Sequence, residues 1–348
     1  MTKLIYIPLV LITLAGSCFD STSKQQRNFL FKNTSGEKTI QLGDTLLVDL
    51  VSAEKTDFDS VQFFVNDKKI DYSETRKRLI LKDVKLGKQT LKAIFYKNND
   101  TQIAENPIEI FSNHTPILLK FKIVNSYPHD IKAYTQGLEF VGDALYESTG
   151  LYGSSSLRKV DYRTGTVLKK IDLDKKYFAE GISILKDKIY QLTWREKTGF
   201  VYNRKTFEQI GTFSYQNSEE GWGLCHDGKT IYKSDGTEKI WTLKEETLEE
   251  DGFIQVCTDT RLIESVNELE WVEGKIYANI YQRNAIAVIN PENGAVEGVL
   301  DLSSLKEQVK QHPDLDVLNG IAYHPSSQTV FVTGKNWDKL FEISLSLE

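Results

Sequence analysis

The amino-acid sequence predicts an all-β chain: a five-bladed β-propeller preceded by a small, Ig-like β-sandwich. Three observations predict it. Five similar segments recur through the C-terminal two-thirds at steps of 44, 42, 45 and 52 residues, close to the ~40–50 residues of a four-stranded propeller blade. Short runs of alternating hydrophobicity are broken by turns such as Asn66-Asp67, Thr164-Gly165 and Asn293-Gly294, the punctuation of hairpins rather than of helices. The composition agrees, because 16 Tyr and 17 Phe stand against a single Met and aromatic residues favour strands.

The chain opens on an export signal. Lys3 precedes an apolar run from Leu4 to Leu14, and the small residues Ala15, Gly16 and Ser17 lead to Cys18. A short basic region, about 7–15 apolar residues and a small-residue cleavage site describe a secretory signal. The run is too short to span a bilayer as a mature helix. Cys18 after small residues resembles a bacterial lipobox, in which the cysteine is acylated and becomes the new N-terminus. Ala15 departs from the leucine usual there, and an ordinary signal peptide cut nearby is the competing reading. On the lipobox reading, residues 1–18 are the lipoprotein signal and 19–27 a polar tether. The protein is then exported and held on a bacterial membrane, on its periplasmic or cell-surface side, through the lipid alone.

Residues 28–113 read as the sandwich. Thr45–Val51, Ser60–Val65, Arg78–Leu81 and Gln89–Tyr96 alternate as strands, and the turns Asn66-Asp67, Leu86-Gly87-Lys88 and Asn98-Asn99-Asp100 separate them. No catalytic constellation is visible there, so the region reads as a spacer or interaction module.

Residues 115–348 carry the repeat. Its five openings are Gln136-Gly137-Leu138, Glu180-Gly181-Ile182, Trp222-Gly223-Leu224, Asn267-Glu268-Leu269 and Asn319-Gly320-Ile321. A second strand follows each, with an aromatic in register: Tyr146, Tyr190, Tyr232, Tyr277 and Phe331. The last repeat stops one strand short, after Leu340–Ser344. Ile117–Val124 is predicted to supply the missing strand, closing the ring and protecting its edges.

The innermost strand of each blade lines the central channel. The leading residues Gln136, Glu180, Trp222, Asn267 and Asn319 are therefore predicted to converge at one mouth. So are the residues four places past each recurrent aromatic: Gly150, Trp194, Gly236, Tyr281 and Lys335. Aromatic walls with a few polar groups make a small-molecule site. Glu180 among aromatics is partly desolvated, which raises a carboxyl pKa toward the range of general acid–base work. Lys335 and Asn267 can donate hydrogen bonds to an oxygen that gains negative charge. Gln136 and Asn319 could equally satisfy backbone groups at strand starts, and Gly150 and Gly236 read as turn glycines.

Other function classes are disfavoured. With 40% hydrophobic and 26% charged residues the chain is globular rather than disordered, and a net charge of −6 argues against a nucleic-acid partner. The five His are scattered and no cluster has metal-ligand spacing, so neither a metal nor a cofactor is expected. Cys225 and Cys257 could pair in an exported protein or remain buried thiols.

Seven motifs, in order, carry a resemblance. They are Tyr127-Pro128-His129-Asp130, Ala133-Tyr134-Thr135-Gln136-Gly137-Leu138, Glu147-Ser148-Thr149-Gly150-Leu151-Tyr152-Gly153, Glu180-Gly181-Ile182, Gly221-Trp222-Gly223-Leu224, Asn267-Glu268-Leu269-Glu270-Trp271 and Gly334-Lys335-Asn336-Trp337. Over about residues 120–345 the chain resembles the glutaminyl cyclotransferases of the plant and bacterial type. The resemblance implies a five-bladed propeller and an aminoacyltransferase that converts N-terminal glutamine of peptides or proteins to pyroglutamate, releasing ammonia. By motif match Glu180 is the general acid–base. Asn267 and Lys335 position substrate or stabilise the oxyanion, Trp194, Trp222 and Tyr281 wall the pocket, and Tyr134 with Gln136 completes it. Tyr281 stands where the family usually has tryptophan and Tyr134 where phenylalanine is common. Both remain aromatic, which implies altered affinity rather than lost activity.

The residues fit that reaction independently. The nucleophile is the substrate's own amine, so no Ser, Cys or His nucleophile is needed, and one carboxyl can transfer both protons in turn. A monomer is expected. The competing class is a non-catalytic surface propeller that binds a peptide or glycan. A propeller hydrolase with a channel metal would need several inner carboxylates, and only Glu180 holds a leading position.

Overall fold

The structure, a computed structural model, describes residues 27–51 and 58–346. The expected signal, the acylation site Cys18 and all of the tether before Arg27 lie outside the described residues. The described chain is all-β, as expected, with a single helical turn at Ser303–Lys306.

Toward the N-terminus two antiparallel sheets face each other. One has the order Asn28–Asn33, Thr45–Val51, Arg78–Ile80, Tyr72–Ser73; the other has Lys68–Ile70, Ser60–Val65, Gly87–Lys97, Asp100–Ile110. Alternation sets their inner faces: Leu91, Ala93 and Phe95 are buried while Thr90, Lys92 and Ile94 between them are half-buried. Phe29, Leu46 and Leu79 from one sheet and Phe63, Leu91 and Phe95 from the other share one core. Phe29 and Phe63 meet edge-on, with ring centroids 5.3 Å apart.

That core extends beyond its own sheets. Cys257 and Ala295 belong to it, so residues from the C-terminal region complete the N-terminal core. Beside it the Gln255 side chain accepts from Lys88 N at 3.1 Å and donates to Lys88 O at 3.1 Å. Lys88 Nζ reaches Glu238 at 3.1 Å. Of the expected turn Leu86-Gly87-Lys88, Leu86 is a bend and Gly87 has a φ of 86°, while Gly87 and Lys88 already begin an 11-residue strand and form a docking edge.

The remaining strands form three four-stranded sheets and one of eight. The first three are Thr135–Val141 to Thr166–Asp172, Ala179–Leu185 to Gln209–Ser214, and Leu224–His226 to Glu250–Gln255, each an antiparallel meander. The eight-stranded sheet contains a fourth meander, Val266–Val272 to Val296–Asp301, and a fifth group beginning with Leu318–His324. The strand Ile117–Pro128 joins these two. It pairs antiparallel with Lys339–Ser346 along its length and parallel with Val296–Asp301 through Ile117, Leu118 and Leu119. The expected completion of the last repeat is thus observed.

The first strands of the five groups touch in cyclic order, the fifth meeting the first. Each neighbouring pair of groups encloses a core that contains one recurrent aromatic. Tyr146 packs with Ile182, Tyr190 with Leu224, Tyr232 with Leu269, Tyr277 with Ile321, and Phe331 with Leu138. The seam between last and first groups is pinned by buried polar contacts. His129 Nε2 meets Glu147 Oε1 at 3.0 Å, His129 Nδ1 meets Trp337 O at 2.8 Å, and Arg158 reaches Asp130 at 2.9 Å.

The repeat motif itself is a backbone device. Pairing slips between Thr135 and Gly137, Ala179 and Ile182, Val266 and Leu269, and Leu318 and Ile321. Such bulges bend a strand and re-aim side chains, and they gather at active sites. The glycine of the motif lets neighbouring backbones close in. A Cβ on Gly181 would lie 2.7 Å from Gly223 Cα, and one on Gly223 would lie 2.8 Å from Glu268 Cα. Glu268 replaces glycine in the fourth repeat, and its carboxylate accepts from Leu138 N at 3.2 Å and Ile321 N at 2.9 Å. One side chain thereby ties three first strands together.

Candidate active site

At the bulges the re-aimed side chains meet. A cavity of about 240 Å³ is lined by Tyr134, Gln136, Phe178, Glu180, Trp194, Trp222, Asn267, Tyr281 and Lys335. All eight residues predicted as catalytic or substrate-binding are among them. The other three candidates from the repeat register stand behind the lining. Asn319 donates to Thr135 O at 2.9 Å and to Gln136 Oε1 at 3.2 Å. Gly150 and Gly236 make room for walls: a Cβ would lie 2.5 Å from Phe178 at Gly150, and 2.5 Å from Trp222 at Gly236.

Glu180 is 6% exposed. Gln136 Nε2 donates to its Oε1 at 3.0 Å, so Asn319, Gln136 and Glu180 form a relay that fixes the carboxyl. Burial pushes the Glu180 pKa well above the usual carboxylate value; the Lys335 charge opposes this, and those of Glu220 and Glu196 add to it. Lys335 is also buried, and burial lowers its pKa against the pull of Glu180 and Asp316. Its Nζ sits 4.7 Å from the Tyr134 ring centroid and 5.3 Å from that of Tyr281, a cation held by aromatic faces. The Tyr134 hydroxyl donates to Asp316 Oδ2 at 2.8 Å, which orients that ring. Asn267 is 2% exposed and its Oδ1 has no hydrogen-bond partner among the described residues. A buried amide oxygen left open in this way is an acceptor available to a ligand.

The walls pack by aromatic edges. Trp222 and Tyr281 meet at 5.5 Å and 85°, and Phe178 lies 5.5 Å from Trp194. The arrangement offers a proton-transfer group, an ammonium, two amides and a desolvated apolar lining. That set can fold a short polar chain, move a proton and stabilise charge on an oxygen.

Sequence reasoning missed Phe178, Glu220 and Asp316. Glu220 accepts from Trp194 Nε1 at 2.7 Å and Trp222 Nε1 at 2.8 Å. A signal for two of them existed. The residues two places before the repeat openings read Tyr134, Phe178, Glu220, Ser265 and Val317, and positions two apart on an extended chain share a face. Cys225 and Cys257 are both buried and unpaired, in different cores.

Comparison with known proteins bears on the same region. The family model described as glutamine cyclotransferase matches residues 94–345. The glutaminyl-peptide cyclotransferase of Arabidopsis thaliana is 40% identical over 229 residues, covering 65% of this chain and 71% of that protein. The crystal structure of Myxococcus xanthus glutaminyl cyclase superimposes with a TM-score of 0.62 at 35% identity, over 66% of this chain and 98% of that one. The matched span holds every residue that lines the cavity, and the chain belongs to the glutamine cyclotransferase family.

Proposed function

We propose that this protein is a glutaminyl-peptide cyclotransferase that cyclises N-terminal glutamine of peptides or proteins to pyroglutamate with release of ammonia. The observation that carries the reading is the convergence of eight side chains, distant in sequence, on one cavity with a desolvated carboxyl at its wall. The cavity is smaller than the ~300–1,000 Å³ of drug-sized sites and suits a single terminal residue.

In the proposed reaction the aromatic walls fold the glutamine side chain back on its own amine, an orientation effect. The α-nitrogen attacks the γ-carboxamide carbon, the N–C bond forms, and the carbonyl π electrons move to oxygen. Glu180 takes the proton lost by the amine. Lys335 and Asn267 stabilise the charged oxygen through hydrogen bonds donated by the ammonium and the amide N–H. When the carbonyl re-forms, the C–N bond to the leaving nitrogen breaks, and Glu180 returns its proton there to release ammonia. A carboxyl with a raised pKa suits both transfers near neutrality.

The cyclic contact of first strands and the five intervening cores support a five-bladed propeller for residues 115–348. The shared core of the two N-terminal sheets supports an Ig-like sandwich for residues 28–113. The N-terminal sequence supports an exported protein anchored to a bacterial membrane by acylated Cys18. Incubation with a Gln-initiated peptide is expected to release ammonia and lower the peptide mass by that amount, and Glu180→Gln to abolish this. Binding of the peptide without turnover would replace the enzyme by a non-catalytic receptor. Retention of Cys18→Ser protein in the membrane fraction would refute acylation.

A further inference from the structure

We infer that Glu220 is a positioning residue for the proposed cyclisation: its carboxylate locks the two indole walls to each other and turns both indole N–H groups away from the substrate. The inference rests on the cyclase reading.

A single oxygen, Glu220 Oε2, accepts from Trp194 Nε1 at 2.7 Å and from Trp222 Nε1 at 2.8 Å. The two tryptophans flank different sheets, Trp194 after the strand Lys188–Thr193 and Trp222 before Leu224–His226. One atom therefore sets the distance between two walls. An indole has one polar atom, a donor, and a bond from it to a carboxylate is charge-assisted and about twice as strong as a neutral one. Both Trp194 and Trp222 line the cavity but Glu220 does not. Substrate consequently meets the carbon faces of the two indoles, and polar contacts come from other lining residues such as Gln136, Glu180, Asn267 and Lys335. An indole bonded to an anion also presents a more electron-rich face, the surface that attracts an α-ammonium.

The side chain of Glu220 is a quarter exposed, yet it is held on every side. Its Oε1 accepts from Arg195 Nε at 2.9 Å, and the Arg195 guanidinium stacks 3.7 Å from the Trp194 ring centroid. Gly221 N donates to Trp194 O at 2.9 Å. From behind, Lys233 Nζ donates to Glu220 O at 3.0 Å and to Ser218 Oγ at 2.5 Å, and lies 3.1 Å from Glu250 Oε1. The Lys233 and Glu250 side chains are wholly buried, and Glu250 Oε2 accepts from Asn217 N and Ser218 N. Partial burial favours protonation of Glu220, but the bonds from Trp222, Arg195 and Trp194 hold its pKa below the usual value. It is an anion throughout the neutral range.

The test is the steady-state release of ammonia from a Gln-initiated peptide, across pH, by the full chain and two variants. Glu220→Ala is expected to raise KM about tenfold with kcat changed less than about threefold, the pattern of lost ground-state positioning. Glu220→Gln keeps an oxygen for both indoles and is expected to bring KM back within about threefold of the parent, the expected rescue by a conservative change. It lacks the charge that, with Glu196 and against Lys335, acts on Glu180. The other titratable groups near Glu180, Tyr134, Tyr152 and Tyr215, stay neutral in this range because burial raises all three. Glu220→Gln should therefore move the acid limb of kcat/KM to lower pH, a shift that loss of packing would not produce.

Parental KM in Glu220→Ala, or a KM in Glu220→Gln as poor as in Glu220→Ala, would overturn the inference. If Glu220→Ala does not fold, Glu220→Asp decides, because its shorter side chain keeps the charge but cannot reach both indoles: a raised KM with an unmoved acid limb supports the inference and a parental KM overturns it. Absence of ammonia release from the unsubstituted protein would sink the cyclase reading instead. Peptide binding, followed by indole fluorescence, would then test Glu220 separately, with undiminished binding by Glu220→Ala overturning it.

Discussion

Replacing Glu180 by Gln is expected to abolish turnover and, at the same time, to stabilise the protein. The bond from Gln136 Nε2 at 3.0 Å can be accepted by an amide oxygen in the same place, so shape and hydrogen bonding survive the change. What disappears is a buried ionisable group. Burial raises the folded-state pKa of Glu180 above its unfolded value, so the folded state holds its proton more tightly. The stability this group confers is fully present below an unfolded pKa of ~4.3 and is lost as pH rises through the folded value. Relative to the Gln variant, the parent should therefore lose about 1.4 kcal/mol per pH unit across that window, and nothing further above it. For a cooperative unit of 150–250 residues, each kcal/mol moves Tm by roughly 2–4 °C. Lys335 limits the gain by losing a neighbouring charge. Its pKa is already lowered by burial, however, and it can shed its proton rather than persist as an uncompensated buried cation. The assay is thermal unfolding of parent and variant at a series of pH values, beside the kcat/KM profile of the parent. The pH at which the stability difference levels off should coincide with the acid limb of activity, because both report one ionisation. A difference that is flat with pH, or a variant less stable than the parent throughout, would refute the argument.

Three further outcomes follow from the packing. Gly223→Ala places a methyl 2.8 Å from Glu268 Cα and closer still to Asn267 O; it should cost about 1–3 kcal/mol and lower kcat/KM by displacing Asn267, read by melting and ammonia release. Lys233→Met leaves Glu250 buried without its cation, and should cost about 3–5 kcal/mol by urea unfolding. A thiol reagent should not titrate Cys225 or Cys257 until the chain is unfolded, since both are buried and burial raises their pKa values, that of Cys257 to about 11.

Much of the site was legible in the sequence because the repeat converts position along the chain into position around the ring. Glu180, Trp222 and Asn267 are far apart in sequence but occupy one register, and the same bulge carries Glu180 and Asn267. Legibility failed where a role depends on contacts that cross registers. Asp316 acts on Tyr134 through a hydroxyl that the family's phenylalanine would lack. Asn319 holds a leading position yet serves Gln136, because its amide meets Thr135 O before it meets the cavity. Gly150 and Gly236 share a register with Trp194 and Lys335 but act by the absence of a side chain. Motifs such as His129 and Glu147 signalled kinship without a role; in the structure they fasten the seam between last and first sheets. The embedding of Cys257 in the core of a separate pair of sheets had no counterpart in periodicity, which reports faces within an element and not which neighbour covers them.

The strand Ile117–Pro128 imposes an order of events on biosynthesis. It leaves the ribosome well before its partner Lys339–Ser346. Lys335 lies in the connection leading into that partner, so the ammonium reaches its station only as the circle fastens. A chain cut before Lys339 leaves Ile117–Pro128 without its antiparallel partner and Lys335, at the cavity wall, without the strand that follows it.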